Sequence, residues 1–178
     1  MTDKMTLIVI KKTGHVMGVV TRESDPEGKL EPKDVAGEKL LVRFVGSPPF
    51  SVAQFFVPSD ELAVEVKDFD PVVVTRPREF YLNADKQVTG TTSNTTVSAP
   101  SNTQIRVAAA AAVTVKTPAW IQVLSKNDPT DTQVRQGEID VGQKQVDLDV
   151  LPLNSGDVYH VFALVGGREQ IVQDVTAP

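Results

Sequence analysis

Residues 107–120 read VAAAAAVTVKTPAW, and their conformation decides the architecture of the second half of the chain. Five consecutive alanines favour helix, because alanine loses the least on entering one. The residues that follow do not. Val113, Thr114, Val115 and Thr117 are β-branched and lose side-chain freedom in a helix. Only Arg106 and Lys116 could supply a polar helical face, no capping box opens the run, and Pro118 closes it. The balance favours a strand, with small side chains that let a neighbouring backbone approach closely. A short buried helix is the competing reading.

The segments that follow the run alternate as strands do. In WIQVLS, Trp120, Gln122 and Leu124 oppose Ile121 and Val123. In KQVDLDVLPL, Val146, Leu148 and Val150 oppose Asp147 and Asp149. QVRQGEIDV, DVYHVFALV and QIVQDV complete the set, with NDPTD and GGRE as turns. Strands every 8 to 12 residues predict a Greek-key sandwich.

The first half also reads as short strands. TLIVI and HVMGVVTR flank KKTG, which predicts a hairpin with Gly14 at positive φ. SDPEGKLEPKDVAGE is a polar loop. KLLVRFVG, SVAQFFVP, LAVEVKDF and PVVVTRPREFYLN supply further strands, and Pro48 and Pro49 force a turn between the first two. About six strands suit a small barrel or sandwich. From Ala84 to Thr103 the sequence is dominated by Thr, Ser and Asn and buries little, so it reads as a linker in which TTVSA could pair as an edge strand. The expected organisation is all-β: an N-terminal β domain over 1–83, a polar linker or edge-strand region over 84–103, and an Ig-like sandwich over 104–178.

One segment resembles a known family. LNSGDVYHVFALV, residues 153–165, is similar to the corner before strand F in fibronectin type III and related immunoglobulin-like sandwiches. That pattern runs Leu-x-Pro-Gly-Thr-x-Tyr and then alternates. Leu153, Gly156 and Tyr159 match it, while Ser155 and Asp157 stand where the family has Pro and Thr. The resemblance covers about 95–175 and implies a buried tyrosine whose hydroxyl reaches a nearby backbone group. It also implies adhesion, spacing or protein binding more than catalysis. Trp120 is expected to fill the space between the sheets. No family resemblance attaches to the first half.

Composition narrows the chemistry. The 178 residues carry 18 Lys+Arg against 23 Asp+Glu, for a net charge of -5 and no basic module. There is no cysteine, so disulfides, thiolate metal sites and cysteine nucleophiles are excluded. That absence tilts towards a reducing compartment. The apolar run Leu7–Ile10 is too short for a signal segment or membrane span, so cytoplasmic synthesis is expected. The two histidines, His15 and His160, show no zinc-site spacing. No Gly-x-Ser-x-Gly elbow occurs, and VGGRE lacks the lysine of a phosphate loop. Asp128, Asp131, Asp140, Asp147 and Asp149 are the best acid–base or calcium candidates. Asp147 and Asp149 share one strand face and Asp128 and Asp131 bracket a turn, which reads as solvated surface and turn chemistry. Asn94-Thr95-Thr96 is a chance glycosylation pattern, and Lys11-Lys12 and Arg76-Pro77-Arg78 are solvated charge.

The expectation is a non-enzymatic structural, assembly or adaptor protein, without cofactor or metal. It would be a subunit of a larger complex such as a phage tail-like or virion particle. Its partners would be proteins, in a homo- or hetero-oligomer, and neither nucleic acid nor a membrane interior. Phe50, Phe55 and Phe56 are the candidate contact residues. Leu153, Gly156, Tyr159 and Trp120 are the structural corner. The alternative is a carbohydrate or small-ligand binding module that presents Trp120, Tyr159 or Tyr81.

Overall fold

The computed structural model describes residues 3–21, 29–45, 52–92, 95–128 and 130–178. Strand accounts for 57% and helix for 10%, so the chain is all-β. It divides into two compact units, Met1–Thr91 and Thr92–Pro178.

The first unit opens with the hairpin expected around KKTG. Strand β1 (Lys4–Ile10) pairs antiparallel with β2 (Val16–Thr21). Gly14 turns the chain at φ +73 and donates its N–H to Ile10 O at 2.8 Å. Helix α1 (Pro32–Ala36), a single turn, then leads into the ribbon of β3 (Lys39–Val45) and β4 (Val52–Pro58). Strand β5 (Leu62–Asp68) returns to β1, giving the order β2-β1-β5. Met5, Leu7 and Val9 face a core that also holds Val16, Val73 and Leu82. Each such side chain, once buried, contributes about 1.5–3 kcal/mol.

Two segments depart from expectation for local reasons. PVVVT, expected as strand, is helix α2 (Pro71–Thr75). The Asp70 side chain accepts from Val72 N at 2.8 Å, and proline occupies the first turn. A cap and an N1 proline together outweigh the β preference of three valines. Only Phe80–Leu82 of that stretch is strand, β6, paired with β7 (Val88–Gly90). The polar loop EPKDVAGE contains α1, which starts on a reciprocal box between Glu31 and Asp34.

Among the described residues, the second unit is a sandwich of seven strands. Its strands are β8 (Thr95–Ser101), β9 (Gln104–Ala109), β10 (Thr117–Ser125), β11 (Thr132–Ile139), β12 (Gln145–Asp149), β13 (Val158–Val165) and β14 (Ile171–Thr176). One sheet runs β12-β9-β8 and the other β11-β10-β13-β14. This three-plus-four order is that of an immunoglobulin- or fibronectin-like sandwich. The stretch 84–103 is divided: β7 belongs to the first unit, and β8 is an edge strand of the second.

The alanine run is cut in two. Val107 and Ala109 point into the sandwich core at the end of β9. Ala110, Ala111 and Ala112 are exposed in the crossing to β10, which lies in the other sheet. The run is therefore strand, then loop, and not helix. Val113 N donates to Gln143 O at 2.8 Å, and Gly142 N to Val113 O at 2.9 Å, which ties this crossing to the β11–β12 turn.

Gly14 carries the sharpest local constraint. A Cβ there would sit 2.3 Å from the Leu82 carbonyl oxygen, at a φ that side chains disfavour. Gly14→Ala is expected to lower stability by about 3 kcal/mol. Gly90→Ala, with nothing within 4 Å of its Cβ, is expected to change it by less than about 0.5 kcal/mol. Urea unfolding of the two variants tests the contrast; equal losses would contradict it.

Candidate functional site

The structure places the corner residues as a closure of the sandwich. Gly156 takes φ +83 at the turn between β12 and β13. Leu153 and Tyr159 are buried in the core. The Tyr159 hydroxyl accepts the Asn154 N–H at 2.9 Å, five residues upstream. Gly156 N donates to Ala177 O, and Ala177 N to Asp157 O, which fastens the C-terminal strand at the same corner.

Trp120 does not fill the space between the sheets. Ala119, Ile121 and Val123 of β10 face the sandwich core, so the alternating residues Trp120, Gln122 and Leu124 face the other way. Trp120 meets Phe162 of β13 edge to face, with centroids 5.6 Å apart and planes at 76°. Both are fully buried. Tyr159 is buried as well, and Tyr81 is half-buried with its ring 6.3 Å from that of His15. The aromatic platform required by a sugar-binding reading is thus not presented by these three residues.

The polar side chains reveal a feature missed from sequence: they close the edges of sheets. Val150 N turns inward to Thr103 O, so the flanking Asp149 and Leu151 turn their backbone groups outward. Arg135 Nε donates to Asp149 O at 2.9 Å, and Gln133 Oε1 accepts the Leu151 N–H at 2.6 Å. Arg135 also donates to Gln133 Oε1, at 3.3 Å. At the opposite edge, Gln173 Oε1 of β14 accepts the Val97 N–H of β8 at 3.3 Å. In each case the opposing sheet lends a side chain to an edge strand. Gly137 supports this approach, because a Cβ there would meet Leu148 Cδ2 at 2.4 Å. In the first unit, Arg78 Nη1 donates to Arg43 O at 3.1 Å on the outer edge of β3 and stacks 4.9 Å over the Phe44 ring. Arg78 is therefore more than solvated charge. Gln133, Arg135 and Gln173 occupy inward positions of alternating strands, beside Ile139 and Val175 of the core, where apolar residues are the rule.

The candidate carboxylates are engaged in pairs and turns. Asp147 holds Arg106 by two bonds, 2.7 and 2.8 Å, directly across the β9–β12 ladder. Asp149 accepts from Gln104 at 3.1 Å. Asp128 accepts from Thr130 N and Oγ1, and these bonds hold its carboxyl below the usual range, the hydroxyl bond most. Lys116 joins Glu138 at 2.8 Å and Asp140 at 3.9 Å, while Asp131 closes a turn through its backbone. Among the described residues, no group of three or more His, Asp or Glu side chains is placed to hold a metal ion.

The histidines also sit in local bonds. Buried His15 meets Thr13 Oγ1 through Nδ1 at 2.9 Å. His160 Nδ1 lies 2.5 Å from Asp174 Oδ1, directly across the β13–β14 ladder, and Lys126 Nζ donates to Asp174 Oδ2 at 2.7 Å.

Of the candidate contact residues, Phe50 lies outside the described residues. Phe55 is core, and its ring meets that of Phe44 edge to face. Phe56 points outward at 45% exposure, directly opposite Leu41 at 50%. None of the helices among the described residues is long and apolar enough to cross a membrane.

No protein-family model matches the chain, and no curated protein sequence does. Among solved structures, a biofilm associated protein's BSP domain is similar over 98% of this chain and 24% of that one, at 13% identity and a TM-score of 0.33. The FN1-FN3 domains of chicken CNTN1 are similar over 99% of this chain and 57% of theirs, at 11% identity and a TM-score of 0.35. The chain spans less than two thirds of either neighbour. The sandwich assignment stands on the strand order and the tyrosine corner.

Two ion pairs predict the acid limb of stability. The bonds from Arg106 hold the Asp147 carboxyl below its ordinary value. Partial burial alone would raise Asp174, but bonds from Lys126 and His160 outweigh it and hold it low. A carboxyl with a depressed native pKa stabilises above its unfolded value, about 3.9 for Asp, and that stability is lost as pH falls through the native value. Asp147→Asn combined with Asp174→Asn is expected to flatten the fall of the urea midpoint between about pH 6 and pH 2. An acid limb identical to that of the parent would contradict this.

Proposed function

We propose that the chain is a non-enzymatic structural or assembly subunit that acts by presenting surfaces to other proteins within a larger complex. A tail-like or virion particle is one setting of that kind. The observation that carries the reading is the outer face of the β3–β4 ribbon. Leu41 and Phe56 stand directly opposite one another and are half exposed, while Val42, Phe55 and Val57 on the other face are buried. Adjacent large apolar side chains on a polar-rimmed surface mark contact sites more often than scattered ones do. Arg43 and Gln54, the next opposed pair on that face, supply part of the rim. The engagement of the ionisable groups in cross-strand pairs fits a stiff surface better than a reactive cleft.

Cross-linking in the source cells, followed by native mass spectrometry of the recovered material, tests this. The chain is expected at fixed stoichiometry with other protein subunits or with copies of itself. Phe56→Asp is expected to reduce recovery of the complex by about tenfold, with an unchanged circular dichroism spectrum. Recovery of the chain alone under all conditions would overturn the reading.

A further inference from the structure

Strand β5 contrasts with β12 and β8, whose outer edges take up side chains of the opposing sheet. Phe69 N donates to Asp3 O and Lys11 N donates to Glu61 O, so the odd-numbered positions turn their backbone towards β1. Val64, Val66 and Asp68 therefore turn theirs to the outer side of the sheet. Among the described residues, no hydrogen bond reaches the outward backbone groups of Val64, Val66 or Asp68. Val66 is 44% exposed. A groove of about 400 Å³, whose lining includes Met5, Lys67, Phe69, Lys86 and Val88, opens on the core-facing side at the C-terminal end of the strand. A row of such groups is a template for another strand.

The sequence LAVEVKD, residues 62–68, shows which strand fits. Placed antiparallel to itself about Val66, it sets Val66 against Val66 of the second copy. Glu65 then faces Lys67 of that copy, and Lys67 faces its Glu65. All three outward residues fall into hydrogen-bonded positions, for about six backbone bonds. Centring one residue earlier would set Glu65 against Glu65, which like-charge repulsion disfavours. We propose that two copies of this chain associate through β5 in that register, joining two three-stranded sheets into one of six strands about a two-fold axis. Glu65 keeps its bond to Lys86 at 2.5 Å and gains a second lysine from the other copy. The inference gives the assembly reading a specific partner. It draws nothing from Leu41 and Phe56, so its readouts separate from that test.

Sedimentation equilibrium of the full chain over a concentration series tests it. The parent is expected to dimerise. Val66→Pro removes one outward N–H at an edge position where proline is tolerated, and is expected to weaken the dimer more than about tenfold with an unchanged circular dichroism spectrum. Glu65→Lys and Lys67→Glu are each expected to lose self-association. Mixing the two restores it, because one strand then carries two lysines opposite two glutamates. A parent that stays monomeric throughout the series, or single charge variants that dimerise as well as the mixture does, would overturn the proposal.

Discussion

Every β-strand turns half of its backbone groups away from each neighbour, and the outermost strand of a sheet has no neighbour on one side. An N–H or C=O left without a partner away from water costs about as much as a lost hydrogen bond, and one left in water invites another chain. The second unit answers this with side chains: Gln133 and Arg135 for β12, and Gln173 for β8. Arg78 does the same for β3. The tyrosine corner belongs to the same set, since the Tyr159 hydroxyl takes up the Asn154 N–H where the chain passes from one sheet to the other.

These contacts also order the packing. Polar side chains that must reach across to the opposing sheet fix the spacing of β11 and β12, and Gly137 leaves room for that spacing at Leu148. The apolar side chains of β9, β10 and β13 then fill what lies between. On the opposite face of β10, Trp120 and Phe162 form a second apolar layer. The four-stranded sheet is thus buried on both faces over its central strands. That explains why WIQVLS and DVYHVFALV carry apolar residues on both sides of the alternation.

Much of this was legible in the sequence. Alternation gave the strands of both halves, and Leu153, Gly156 and Tyr159 marked the corner before β13. The misplacement of Trp120 has a physical cause: its partners on β10 are apolar on both faces, so periodicity alone does not say which face meets the other sheet. PVVVT departs from the strand expectation because the Asp70 cap and Pro71 act on the first turn only, outside what a β-propensity count measures. The alanine run concealed a boundary because alanine suits a strand end and an exposed crossing equally well. Alternation alone does not single out Gln133, Arg135 and Gln173. Their inward positions distinguish them, and these appear only once the core face of each strand is fixed.

Side chains take up outward backbone groups of β12, β8 and β3, whereas among the described residues no hydrogen bond reaches the outer edge of β5. Amide hydrogen exchange on the full chain tests that distinction most directly. The amides of Val97, Leu151 and Asn154 should exchange slowly at every protein concentration, because partners within the chain hold them. The Val66 amide should exchange quickly in dilute solution and slow as concentration rises. Fast exchange at Val97, Leu151 and Asn154, or protection of Val66 that ignores concentration, would contradict the account.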